Sequence, residues 1–241
     1  MSEDRPAFYA LSPGGWRDWW TLLHPPYTLW HLSYVALGAA TAAEVDLYRL
    51  GMSLLGFFLG VGLAAHALDE LRGRPLGTSI PDLVLQGLAI GSLAGAAAVG
   101  VVGVVQVSLW LAVFILAGAF LVVAYNLELF GGAFHSDLWF ALAWGGFPAL
   151  TGAFAQEGKL HAAAVLVAGA CVAISAAQRV LSTPVRRLRR RVATVEGTIT
   201  LRDGTTESMG ADVIKTAPEA ALKLLSLAMP VLATAFVISR L

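Results

Sequence analysis

The chain reads as an all-α integral membrane protein of about seven transmembrane helices. Three observations predict this. First, 57% of the 241 residues are hydrophobic and only 13% are charged, about half the charged share of a soluble domain, and the mean hydropathy is +0.72. Second, no charged residue lies between Asp82 and Glu128. At ~1.5 Å per residue that stretch extends about 68 Å as helix, two crossings of a ~30 Å hydrocarbon core. Third, the basic residues are distributed very unevenly among the connections.

The N-terminal Met-Ser-Glu-Asp-Arg lacks the basic region and following apolar run of a cleavable signal. Residues 1–25 are therefore expected as a cytosolic segment. Within it Trp16, Trp19 and Trp20 have helical spacing and belong at the membrane–water interface. Pro25 and Pro26 end that short helix and begin the first span.

The expected spans are 26–43, 50–68, 83–104, 107–126, 138–155, 160–181 and 219–239. The first six form a membrane core over 26–181, and the last lies in 219–241. Each must satisfy its backbone hydrogen bonds internally, so each is helical. The pairs Gly56/Gly60 and Gly91/Gly95 have the spacing of close helix crossings, a spacing that glycine-rich helices also reach by chance. Between the sixth and seventh spans, 182–218 is expected as a basic cytosolic loop. Its alternating Thr-Ile-Thr-Leu-Arg-Asp-Gly-Thr-Thr, with Asp203-Gly204, signals a small β-hairpin or an ordered loop.

Alternating the seven spans puts Arg5, Arg17, Arg72, Arg74, Arg179, Arg186, Arg187, Arg189, Arg190, Arg191, Arg202 and Lys215 on one side, against Arg49, Lys159 and Arg240 on the other. The crowded side is the cytosolic one, which leaves the C-terminus opposite. Lys223 falls inside the last span and is read as snorkelling. Basic and acidic residues number 16 each, and the arginine run lies against a membrane, so nothing points to nucleic acid. No glycine-rich phosphate loop, zinc motif or nucleophile elbow is present. The single Cys171 excludes an internal disulfide and reads as a buried thiol.

Charges at the span ends carry the chemistry, because they are costly beside hydrocarbon. The second span closes on Ala65-His66-Ala67-Leu68-Asp69-Glu70-Leu71-Arg72-Gly73-Arg74-Pro75. His66 and Asp69 share a helix face, Asp69 and Glu70 offer oxygen ligands for Mg²⁺, and Arg72 and Arg74 offer guanidinium donors for phosphate; a polar helix end followed by a turn is the alternative. Tyr125 and Asn126 end the fourth span, deep enough to line a cavity, and Ser136 or Asp137 starts the next helix. His24, His31 and His161 read as interfacial or packing residues. Arg179 lies at the end of the sixth span. The following Arg186, Arg187, Arg189, Arg190 and Arg191 read as an anchor for anionic phospholipids.

Four passages together resemble the UbiA-type prenyltransferase superfamily. They are His24-Pro25-Pro26-Tyr27-Thr28-Leu29 leading to Gly38, the span end from Ala65 to Pro75, Tyr125, and Asp137 through Ala153 with Gly145, Gly146, Pro148 and Gly152. The likeness covers roughly residues 20–182 and rests on spacing and helix order. The family's first Asp-rich motif, N-D-x-x-D-x-x-x-D, falls on Ala65, His66, Asp69 and Gly73. Its second, D-x-x-x-D, has no counterpart, since no Asp or Glu lies between Glu157 and Glu196.

The resemblance implies a helical bundle holding a polyprenyl diphosphate, its tail among the helices and its head at a cytosolic mouth. It also implies Mg²⁺ on Asp69 and Glu70 with His66 beside them, and diphosphate contacts from Arg72, Arg74 and Arg179. Tyr125 and Asn126 would face the acceptor. Two readings stay open: a divergent transferase, and a non-catalytic relative that binds an isoprenoid, an anionic lipid or a partner protein.

Overall fold

A computed structural model describes residues 5–241, so residues 1–4 of the expected cytosolic segment lie outside the described residues. The elements in order are α1 (Trp16–Leu23), α2 (Pro25–Ala39), α3 (Leu47–Leu71), α4 (Asp82–Gln106), α5 (Leu111–Asn126), α6 (Asp137–Glu157), α7 (Ala162–Arg191), β1 (Gly197–Thr200), β2 (Thr206–Met209) and α8 (Ala211–Ile238). Five of these, α3, α4, α6, α7 and α8, are long and apolar enough to cross a membrane. At 15 and 16 residues, α2 and α5 fall short of the roughly 20 needed to span. The protein is therefore a helical membrane protein with five helices of spanning length and two shorter apolar ones.

The apolar surface points outward. On α4 only 11% of the most apolar window is buried, and Leu83, Ile90, Val101 and Val105 are exposed. Leu224, Leu227, Val231 and Phe236 on α8 are exposed too. Water would penalise such a belt and hydrocarbon does not. On α1, Trp16, Trp19 and Trp20 are exposed while Leu22 and Thr21 are buried, as the spacing predicts.

The central helix is α2, which contacts α3, α6, α7 and α8. Its Trp30 and Tyr34 are fully buried, and the Trp30 indole donates to the Tyr34 hydroxyl at 2.6 Å, so neither polar atom is stranded. The crossing of α2 and α6 is the tightest in the bundle. A Cβ at Gly38 would land on the Ala149 carbonyl, and one at Gly152 on the Val35 carbonyl. Gly145 of α6 lies as closely on α7, where its Cβ would meet the Cys171 carbonyl oxygen at 2.5 Å. The two G-x-x-x-G pairs mark looser places: Gly60 and Gly91 face open space. Contact with a facing backbone, not glycine spacing, makes a close crossing. Gly152→Val should therefore destabilise the bundle by about 3 kcal/mol, lowering the thermal midpoint in detergent, whereas Gly91→Ala should leave it unchanged.

Two π-helical turns interrupt the ladder, Phe58–Ala65 in α3 and Leu142–Gly146 in α6. Val61, Ala64 and Ala65 from the first pack with Ala143 and Trp144 from the second, and with Val122 and Tyr125 of α5. Such wide turns cluster at functional sites, and here both lie against one volume.

The helix α7 continues to Arg191 through Pro184, so residues 182–191 are helical and not part of the expected loop. Proline removes the backbone donor to the Val180 carbonyl, while the Thr183 hydroxyl just before it donates to the neighbouring Arg179 carbonyl at 2.8 Å. The hairpin forms beyond it, with Gly197 opposite Met209 and Thr200 opposite Thr206. At its tip Gly204 has φ +85°, and Asp203 accepts from the Thr205 hydroxyl and amide, which hold its carboxyl below the usual range. Ser136 caps α6 by accepting from the Trp139 amide, as expected, and Cys171 is buried.

Candidate functional site

The helix ends gather at two faces. At one, the Asp46 amide donates to Gln156 Oε1 at 2.8 Å, Arg49 bonds the Gln156 carbonyl, and the Val45 amide donates to the Arg240 carbonyl. The other holds the basic residues and a ring of unpaired polar side chains.

That second face is built from five segments. Residues 5–15 form a strap across it. Arg189 donates to the Arg5 carbonyl and Arg190 to the Pro6 carbonyl, at 3.2 and 3.3 Å. Thr21 Oγ1 accepts from the Leu11 amide, and Asp18 accepts from the amides of Gly14 and Ser79, so the strap and the 72–81 loop share one anchor. The strap sets the Tyr9 ring edge-on to His24 at 5.3 Å and to Tyr27 at 5.5 Å.

His24 joins α1 to α2 with φ +46°, a left-handed conformation that is strained for a side-chain-bearing residue. The strain turns its buried ring onto His66 of α3, with centroids 4.2 Å apart. Burial, then the neighbouring His66 and Arg190, hold the His24 imidazole well below its usual pKa, so it is neutral at pH 7. Burial, and next Tyr27, push the Tyr9 phenol well up, so its hydroxyl stays a donor. His66 Nδ1 bonds the Gly62 carbonyl at 3.0 Å inside the first π turn.

Asp69 lies one turn beyond His66. Among the described residues its carboxylate has no hydrogen bond and no ion pair. The charges acting on it come from Arg190, Arg186, His135 and Glu70. Arg186 and Arg190 stand one turn apart on α7. Opposite them Tyr125 stacks on His135 at 4.5 Å and meets Trp144 edge-on at 5.5 Å. Ring contacts thus bring Tyr9, Tyr27, His24 and His66 together at one mouth, with Asp69 one turn beyond His66 and Arg190 on the strap, and Arg186 and Tyr125 lie within electrostatic range of Asp69.

Several expected site residues lie elsewhere. Glu70 is fully buried and turned away from Asp69. Its carboxylate accepts from the Leu76 amide at 3.0 Å and from the Thr78 amide and hydroxyl at 2.8 Å each, which folds the 72–81 loop. Adjacent helix positions point about 100° apart, so the two carboxylates do not share one ion. Arg72 pairs with Glu128 at 2.8 Å and bonds the Leu127 carbonyl. Arg74, at φ +53°, pairs with Asp82 and bonds the Ile80 and Thr78 carbonyls. Both guanidiniums are committed to loop structure. Asn126 donates back to the Val122 carbonyl of its own helix. Arg179 pairs with Asp137 at 2.6 Å and lies 5.3 Å over the Phe140 ring.

Among the described residues no group of three or more His, Cys, Asp and Glu side chains is placed to hold a metal. With Glu70 sequestered, the donor set at the mouth is one carboxylate facing two guanidiniums, which does not suit Mg²⁺. The arginine run divides as well: Arg187 and Arg191 are exposed, Arg189 pairs with Glu219 of α8, and Arg186 and Arg190 turn to the mouth. Lys223 lies 5.4 Å from the Phe8 ring.

Sequence reasoning missed Tyr9, Tyr27, Arg186 and Arg190, and read His24 as packing. A signal existed for the arginines. Residues 179, 186 and 190 stand at i, i+7 and i+11, one helical face, provided that the helix continues past Pro184.

An apolar cavity of about 160 Å³ lies among α3, α4, α5 and α6, running from Tyr48 and Arg49 at the opposite face inward to Val61, Val122 and Trp144. Val61, Val122 and Trp144 line it and also pack with Tyr125, so its inner wall adjoins the mouth. Gly60 lines it with open space where a Cβ would stand. No family model matches this chain, and no curated protein and no solved structure matches it.

Proposed function

We propose that this is a helical membrane protein of prenyltransferase type that binds a polyprenyl diphosphate at the mouth and transfers its chain to an acceptor. The observation that carries the reading is Asp69, which has no hydrogen bond or ion pair among the described residues and lies one turn beyond His66 at the bundle end where Arg190 bonds the strap, within electrostatic range of Arg186 and Arg190 and above an apolar cavity whose inner wall packs on Tyr125. The arginine distribution supports a cytosolic side for this mouth. Exposed Arg187 and Arg191 meet anionic phospholipid there.

Arg186 and Arg190 hold the diphosphate through charge-assisted hydrogen bonds, with the Tyr9 and Tyr27 hydroxyls as neutral donors. The hydrocarbon tail lies in the cavity lined by Val61, Gly60 and Trp144. As the allylic C–O bond breaks, its electron pair leaves with the diphosphate, and preorganised guanidinium charge stabilises the departing anion. The allylic carbon bonds to the acceptor, which surrenders a proton to Asp69. No step is routed through Mg²⁺, because the residues do not fit it. The strap of residues 5–15 covers the head group and excludes water.

Membranes carrying the protein should transfer label from radiolabelled farnesyl or geranylgeranyl diphosphate to a lipid-soluble product. Asp69→Asn should retain diphosphate binding and lose transfer by about 100-fold or more. Wild-type protein that neither binds nor turns over either diphosphate defeats the proposal. Binding without turnover, unaffected by Asp69→Asn, selects the non-catalytic reading, which the lone mouth carboxylate favours. Gly60→Leu should fill the cavity without meeting backbone, preserving thermal stability while weakening binding of geranylgeranyl diphosphate about tenfold. A titration of both diphosphates against both proteins checks it.

A further inference from the structure

Below the mouth, among the described residues, buried Ser175 Oγ has no hydrogen-bond partner, and the side chains of buried His31 and Gln178 have no partner but each other. All three residues are more than nine-tenths buried, at 7%, 0% and 3% exposure. Buried polar atoms are paired in nearly every folded protein, and an orphan costs roughly 1–3 kcal/mol. Three buried polar side chains with so little hydrogen bonding among them are therefore a feature and not scatter.

The three residues belong to one place. Ser175 and Gln178 are i, i+3 on the inner face of α7, and His31 comes from α2, which packs against it, with Gln178 beside the His31 ring. Around them the surface is aromatic: Phe140 lies 6.1 Å and Tyr34 6.2 Å from His31, centroid to centroid. The Tyr34 hydroxyl is already engaged by Trp30. No ionised partner reaches the group, since Arg179 is paired to Asp137. A neutral imidazole offers one donor and one acceptor, a serine hydroxyl both, and the glutamine oxygen an acceptor. An ionised ligand would lack a counter-charge at this depth.

We infer that His31, Ser175 and Gln178 form a second binding site, deeper than the diphosphate mouth, for an uncharged molecule whose hydroxyl or carbonyl group they hydrogen-bond. The site stands whether or not the mouth binds diphosphate. Uncharged hydroxyl and carbonyl groups occur on both aliphatic isoprenoid alcohols and lipid quinones, so the test carries both.

Full-length protein in detergent is titrated with farnesol and with decyl-benzoquinone, following the thermal midpoint and tritiated-probe binding. At least one probe should bind saturably, and its identity distinguishes the alcohol from the quinone. Gln178→Leu and Ser175→Ala should each weaken that binding about tenfold. Arg186→Gln should leave the uncharged probe's affinity unchanged while weakening diphosphate binding about 100-fold, which separates the two sites. Saturable binding of neither probe, or equal binding by Gln178→Leu, Ser175→Ala and wild type, overturns the inference and leaves the three polar residues to bound water only.

Discussion

Glu70→Ala should destabilise the folded protein by about 4 kcal/mol, the largest stability effect expected of a single polar substitution here. The carboxylate is completely buried and accepts three hydrogen bonds, two of them from backbone amides of the 72–81 loop. Hydrogen bonds to a charged group contribute roughly 1.5–3 kcal/mol, and two amides stranded in a dry loop cost about as much again, partly offset by water reaching them as the loop opens. Because Ser79 of that loop also bonds Asp18 of α1, loosening should spread to the strap across the mouth. The check is thermal and denaturant unfolding in detergent beside Asp69→Asn. The neighbouring substitution touches no hydrogen bond among the described residues and should leave the midpoint unmoved. Equal stability of Glu70→Ala and wild type would mean that Glu70 does not hold the loop. These adjacent acids, taken together as a metal pair on sequence grounds, should separate cleanly, one acting on stability and the other on transfer.

Arg186→Gln should weaken farnesyl diphosphate binding about 100-fold, within the 2–5 kcal/mol range for truncating one partner of a buried charge pair. Among the described residues its guanidinium makes one long contact, 3.5 Å to Thr183 Oγ1, so little structure depends on it. Arg186→Lys should recover part of the loss, because an ammonium supplies charge without the planar two-pronged donor set. By contrast Arg72→Gln, which breaks an exposed pair with Glu128, should leave affinity unchanged, since such pairs contribute at most about 1 kcal/mol. Calorimetric titration of the three variants decides it. Undiminished binding by Arg186→Gln removes the basis of the proposed head-group site.

Much of the architecture was legible because its causes are local. The tryptophan spacing of α1, the Ser136 cap, the Asp203-Gly204 hairpin and the apolar helices each follow from a few consecutive residues. The boundary at 181 was not legible. Thr183-Pro184 looks like a helix stop when backbone donors are counted one at a time, yet packing carries α7 to Arg191. That extension sets Arg186 and Arg190 on the helical face of Arg179. The site residues were half legible for a related reason. Asp69 and His66 share a face with each other, but whether Glu70, Arg72 or Arg74 faces the same volume depends on how the 72–81 loop folds back. Nothing within the motif specifies that.

By itself the chain determined its solvent and its secondary structure. Hydrocarbon penalises charge and unpaired backbone wherever they occur, so composition and periodicity carry that information residue by residue. Only the tertiary structure decided which charges meet. A guanidinium is satisfied equally well by a loop carbonyl, an acid across the bundle or a ligand, and the choice among them is made by which helices cross. Here the crossing is made close by Gly38 and Gly152 lying on facing carbonyls.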